Sequence, residues 1–171
     1  MGIERNVVAV PARLQSSRLP NKVLADIGGK PMIRRVLEQC GKASGLNLVV
    51  LCTDSTLLRE MAIGWGFRVV LTAEHCSSGS ERIASVADLL VGMAWEEDPK
   101  DWDRERREAR LASTAVINVQ GDQPFLDPAV VTAMATAFCC DGAVPAVVTP
   151  VYRLKPESIH NPSVVKTLLA H

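Results

Sequence analysis

Three short segments carry residue types that could do chemistry together. The first reads Pro11-Ala12-Arg13-Leu14-Gln15-Ser16-Ser17-Arg18-Leu19-Pro20-Asn21-Lys22. Three cations, two hydroxyls and a run of backbone amides follow an apolar stretch directly, and the segment holds no carboxylate to pair the cations. Such a loop can grip a di- or triphosphate through charge-assisted bonds. The plain alternative is an exposed basic turn. The segment is neither a G-x-G-x-x-G fingerprint nor a Walker A loop, so hydride transfer and ATP hydrolysis lack their motif.

The second segment, Asn118-Val119-Gln120-Gly121-Asp122-Gln123-Pro124, places a carboxylate one glycine past an apolar run. Presented at the edge of a sheet, Asp122 suits Mg²⁺ held beside nucleotide phosphates; in isolation it could equally be a turn aspartate. The third, His75-Cys76-Ser77-Ser78-Gly79-Ser80-Glu81-Arg82, is a small-residue loop entering a helix. Serine capping of the helix accounts for part of it. Arg82, in the first helical turn, is disfavoured by the macrodipole, which suggests that it is aimed at an anion. His75 and Cys76 are adjacent in sequence, but a nucleophile and its base must meet in space, so they are not read as a catalytic pair.

These loops need a scaffold, and the apolar pattern supplies one. Val7 to Val10, Leu48 to Cys52, Val69 to Leu71, Ala115 to Val119 and Ala146 to Val151 read as short strands buried on both faces. Between them the period changes to 3.6. Met32, Ile33, Val36, Leu37 and Cys40 share one face after Pro31, with Gly45 marking the stop. Leu57, Leu58, Met61 and Ala62 form a second stripe, Ile83, Val86, Ala87 and Leu90 a third, and Val130, Val131, Met134 and Phe138 a fourth. Strands alternating with helices predict an α/β, three-layer fold with a mostly parallel, doubly wound sheet. In such folds ligands bind beyond the carboxyl ends of strands, where the three loops lie.

Composition narrows the function classes. The 171 residues are 47% hydrophobic, enough for one globular core, and 19 basic residues balance 19 acidic ones, which removes the field that general nucleic-acid binding needs. Twelve of the fifteen residues from Glu96 to Arg110 are charged, seven acids against five bases, so residues 92–113 are expected to form a solvated helical or disordered surface insertion outside the chemistry, with a partner-binding arm as the alternative. Five cysteines without a C-x-x-C pair make a zinc site improbable and suit a reducing compartment. The apolar run near the N-terminus meets Pro11 too early for a secretory leader, and no stretch approaches the ~18 apolar residues of a membrane span. A cytoplasmic protein with no membrane or nucleic-acid partner is expected.

Taken in order and spacing, Pro11 to Lys22, Asp26-Ile27-Gly28-Gly29-Lys30-Pro31-Met32, Thr53-Asp54, Ser78-Gly79-Ser80-Glu81-Arg82 and Asn118-Val119-Gln120-Gly121-Asp122 resemble the 3-deoxy-manno-octulosonate cytidylyltransferases, the CMP-Kdo synthetases of lipopolysaccharide synthesis. The resemblance implies a Rossmann-like nucleotidyltransferase that joins CTP and Kdo, releasing pyrophosphate, with Mg²⁺ as cofactor. It implies that Arg13 and Lys22 hold the CTP phosphates, with Ser17 and Arg18 in the same loop, and that Asp122 holds Mg²⁺. It also implies that Ala12, Thr53, Ser78 and Gly79 line the cytidine pocket, while Arg82 and Gln120 face the sugar acid. Asn21 stands where the family usually has Gly, Ser80 where it has Thr, and Gln123 where it has Glu. Asn161 to Lys166 resembles a mid-chain motif, so residues 1–171 are expected to be a single core corresponding to the family's N-terminal portion. The family's later part supplies further sugar-binding residues, a second metal-binding aspartate and most of a homodimer interface. Two alternatives stand beside this reading: a cytidylyltransferase for another sugar acid, and a non-catalytic nucleotide-binding module.

Overall fold

The computed structural model describes residues 2–15, 20–138, 147–151, 153, 156–158 and 160–162. Its sheet contains β1 (Arg5–Ala12), β2 (Leu48–Thr53), β3 (Arg68–Leu71) and β4 (Thr114–Asn118), in the order β3-β2-β1-β4. All three pairings are parallel, with Val7 opposite Leu48 and Ala9 opposite Asn118. β1 is central, and every residue from Asn6 to Ala12 is buried. Its unbroken apolar run is what a strand covered on both faces requires.

Alternate side chains of β1 enter two separate cores. Val8, Val10 and Ala12 pack with Ile33, Val36, Leu37 and Cys40 of α1 (Met32–Cys40), Leu58 and Ala62 of α2 (Thr56–Gly64), and Val131 and Ala135 of α6 (Pro128–Phe138). Val7 and Ala9 pack on the opposite face with Ile83 of α3 (Gly79–Ala84), Val86, and Leu90 of α4 (Ala87–Trp95). The three-layer arrangement follows from the period-2 strand meeting period-3.6 helices on each side. Full burial of side chains such as Ile33, Leu37 and Leu58 contributes about 1.5–3 kcal/mol each.

The chain winds from β1 outward to β2 and β3, then returns on the other face to place β4 against the free side of β1. Winding therefore reverses between β1 and β4, and the crevice at their carboxyl ends is the place where such folds receive ligands.

Several sequence expectations are corrected. The third helical stripe is split between α3 and α4, with Ser85 capping the first and Val86 preceding the second. α1 ends at Cys40, before Gly45. Val147 to Val151, the described part of the expected fifth strand, forms no strand, and Val147 and Val151 are 77% and 57% exposed. Pro150 within that run can donate no ladder hydrogen bond.

The charged segment is ordered. Residues 92–95 of the expected insertion lie within α4, and the charges continue into α5 (Arg104–Ala112), none of whose residues is buried. Glu97 accepts hydrogen bonds from Arg106, Arg110 and Trp102, while Trp95 has the guanidinium carbons of Arg5 and Arg110 at 4.6 and 3.8 Å from its ring centroid. The segment is held by charge pairing and cation–π contact in place of apolar burial.

Candidate active site

A cleft of about 280 Å³ opens at the carboxyl ends of β1 and β4, and all three chemistry-bearing loops line it. Its walls include Ala12, Arg13 and Lys22 from the first loop, Ser78, Gly79 and Arg82 from α3 and its cap, and Gln120, Gly121 and Asp122 after β4. Ser17 and Arg18 lie outside the described residues.

The first loop closes on itself before it reaches Lys22. The Asn21 amide donates to the Leu14 carbonyl at 3.1 Å, and Asn21 adopts a left-handed φ of 56°. Asparagine is one of the few non-glycine residues that visits this region readily. Lys22 then begins a short 3-10 turn and donates from Nζ to Asp122 Oδ2 at 2.7 Å.

Asp122 is set by the turn after β4. The Gln123 amide donates to the Gln120 carbonyl at 3.3 Å, so Gly121 and Asp122 are the two central residues of a tight turn. A Cβ on Gly121 would meet the Pro11 carbonyl oxygen at 2.9 Å and Ala12 Cβ at 3.3 Å. Glycine there lets the two loops touch. Gly79 plays the same part on the opposite wall, where an added Cβ would lie 2.9 Å from Pro11 Cγ and 3.2 Å from Gln120 Oε1.

The α3 wall is fixed by a variant of the capping box. The Glu81 amide donates to Ser78 Oγ at 3.1 Å, and the Glu81 carboxylate accepts from the Ser77 amide at 2.6 Å and from the Ser77 hydroxyl. The bond from the Ser77 hydroxyl, and after it the bond from the Ser77 amide, hold the Glu81 carboxyl below the usual carboxylate range. Two residues of the S-G-S-E-R run are therefore accounted for by capping.

Arg82 does point at an anion, and that anion is Asp54. Its Nη2 donates to Asp54 Oδ2 at 2.7 Å, and Nη1 donates to Thr72 Oγ1 and to the Ala73 carbonyl at 3.3 Å. The cleft is thus lined by three described cations, two of them paired with carboxylates; Arg13, exposed, has no acidic partner among the described residues. Gln120 donates to Asn118 Oδ1 at 2.8 Å, and Asn118 donates to Ser80 Oγ at 3.3 Å, a chain that joins the β4 loop to α3. Thr53 stands apart: it is fully buried at the end of β2, does not line the cleft, and accepts from the Ser55 amide at 3.2 Å.

Sequence reading assigned no role to Asp54, Asn118 or Cys76, which lines the cleft while 6% exposed. The signal for Asp54 was its position directly beyond a buried strand. Among the described residues no group of three or more His, Cys, Asp and Glu side chains is placed to hold a metal, and Asp122 is the one carboxylate on the cleft wall. A single half-exposed carboxylate does not make a preformed cage, but it fits Mg²⁺, which takes one or two protein carboxylates and completes its shell with phosphate and water.

The sequence model of the cytidylyltransferase family matches residues 7–171. The chain belongs to the cytidylyltransferase family. A 3-deoxy-manno-octulosonate cytidylyltransferase of Idiomarina loihiensis is 37% identical over 161 residues, which are 94% of this chain and 56% of that protein. One from Chloroherpeton thalassium is 35% identical over 164 residues, covering 95% of this chain and 58% of the relative. The chain thus spans less than three fifths of the length of these relatives. Among solved cytidylyltransferase structures, CMP:2-keto-3-deoxy-manno-octonic acid synthetase complexed with CTP superposes with a TM-score of 0.58 at 30% identity, over 78% of this chain and 46% of the other. A cytidylyltransferase from Leptospira borgpetersenii shares the fold, with a TM-score of 0.57 at 19% identity and coverage of 78% and 48%.

Proposed function

We propose that this cytidylyltransferase transfers CMP from CTP to Kdo, giving CMP-Kdo and pyrophosphate in lipopolysaccharide precursor synthesis. The observation that carries the reading is the contact of Lys22 with Asp122 in a cleft between β1 and β4, which Arg13, without an acidic partner among the described residues, also lines. Relatives named for this activity support the choice of substrate.

The residues suit displacement at the α-phosphorus of CTP. The anomeric hydroxyl oxygen of the sugar forms the new O–P bond, the bond to pyrophosphate breaks with its electron pair leaving on oxygen, and the hydroxyl proton passes to solvent. This exchange needs charge neutralisation and in-line positioning, with no protein nucleophile. Arg13 and Lys22 bind the phosphates, Ala12, Ser78 and Gly79 form the nucleoside wall, and Gln120 and Arg82 receive the acidic sugar. Ser17 and Arg18 belong to the same phosphate loop. Mg²⁺ held by Asp122 and the phosphates supplies further neutralisation of the triphosphate.

Among the described residues no helix is long and apolar enough to cross a membrane, and the proposed substrates place the reaction in the cytoplasm. The test is pyrophosphate release by the chain with CTP, Mg²⁺ and Kdo. Release abolished by Asp122→Asn is the expected result. Release stimulated by a different sugar acid and not by Kdo would move the assignment within the family. CTP binding without release under any acceptor would make the chain a nucleotide-binding module.

A further inference from the structure

We propose that Asp54 is a positioning residue for the acceptor sugar, acting through Arg82; the proposal rests on the CMP-transfer reading above. Asp54 does not line the cleft, whereas Arg82 does. The Arg82 side chain is 3% exposed and that of Asp54 16%, so the pair is desolvated and each charge depends on the other.

One guanidinium ties together three segments at the sheet edge. Asp54 follows β2, Thr72 and Ala73 follow β3, and Arg82 itself sits on α3, whose start forms the cleft wall. Nη1 and Nη2 are committed to these partners, while Nε has none among the described residues. A guanidinium recognises a carboxylate by the fixed fork of its donors, so its value to an acidic sugar depends on the plane in which it is held. Asp54 sets that plane, because among the described residues it supplies the one charged partner. Asp54 does not line the cleft, so it serves the acceptor by holding Arg82.

The test compares the unaltered chain with Asp54→Asn and Asp54→Ala. Pyrophosphate-release kinetics give KM for Kdo and for CTP, calorimetry gives CTP affinity, and nitrogen-15 NMR follows exchange of the Arg82 Nε proton. We expect KM for Kdo to rise about tenfold or more in Asp54→Ala and less in Asp54→Asn, which keeps an acceptor oxygen. CTP affinity stays within about twofold, since the phosphate-binding cations are untouched. The Arg82 Nε proton exchanges faster in Asp54→Ala. An unchanged or lowered KM for Kdo in both variants overturns the proposal, as does a parallel loss of CTP affinity, Kdo affinity and thermal stability, which would mark Asp54 as purely structural. Absence of Kdo-dependent release from the unaltered chain would instead overturn the reaction assignment, and the proposal with it.

Discussion

Lys22 and Asp122, one hundred positions apart in sequence, meet at 2.7 Å across the mouth of the cleft. Their side chains are 40% and 47% exposed, so solvent screens the pair and its contribution to stability is below about 1 kcal/mol. Its value lies in where it puts the two groups. Lys22→Ala should leave the melting temperature nearly unchanged while weakening CTP binding several-fold or more in calorimetry. Arg13→Ala should do the same, because under the proposed reading each would remove a charge-assisted phosphate contact. Unchanged affinity in both variants would sink the assignment of the first loop.

The close approach of the loops gives a second prediction. Gly121→Ala would press a methyl group against the Pro11 carbonyl oxygen, which lies 2.9 Å from the new Cβ, and backbone cannot swing aside as a flexible side chain can. A loss of about 1–3 kcal/mol in denaturant unfolding is expected, with CTP binding lost alongside. Gly79→Ala meets Pro11 Cγ and Gln120 Oε1 and should act mainly on the cleft. Wild-type stability and affinity in both variants would mean that the loops do not touch as described.

Much of this arrangement was legible in the sequence because it rests on local pattern. β1 reads as a strand since Val7 to Val10 is apolar without interruption, and α1 reads as a helix since Ile33, Val36, Leu37 and Cys40 recur at helical spacing. The meeting of the three loops at one cleft was legible for a related reason: they follow strand ends, where an α/β sheet presents ligands. Pairing across distance was not. That Arg82 should meet Asp54, or Gln120 meet Asn118, depends on the order β3-β2-β1-β4, which periodicity leaves open. Nor could composition distinguish a solvated charged insertion from the cluster around Glu97, because ion pairs between α5 and the turn after α4 need the packed geometry to exist.

The Gln120 to Asn118 to Ser80 chain orients the Gln120 amide by giving its NH₂ group to Asn118. Asn118→Ala frees that amide to rotate. KM for Kdo should rise several-fold with CTP affinity retained, and Ser80→Ala, one step further from the ligand, should have a smaller effect. Equal effects of the two substitutions on CTP and Kdo would argue that the chain merely holds α3 against β4.

Glu97 should control the acid limb of stability. Hydrogen bonds from Arg110 and then Arg106, with a further one from Trp102, pull its carboxyl from 4.5 down to about 2. A carboxylate whose folded pKa lies below its unfolded value stabilises the fold fully above the unfolded pKa, and that stabilisation is lost as pH falls through the folded one. Denaturant unfolding of the unaltered chain between pH 5 and about 2 should therefore steepen relative to Glu97→Gln, which cannot titrate there. Identical pH profiles for the two proteins would show that the cluster contributes nothing to the folded state.

Thiol reactivity reports on the core directly. Burial pushes the thiols of Cys40 and Cys52 up to about 12, opposed at Cys52 by the nearby charge of Arg82. Since the thiolate is the nucleophile, both cysteines should resist alkylation at pH 8 in the folded chain and label promptly in denaturant, as read by peptide mapping. Cys76, on the cleft wall, should label faster than either, and saturating CTP should slow it. Labelling of Cys40 at the rate of an exposed thiol would mean that α1 does not seal the β1 face.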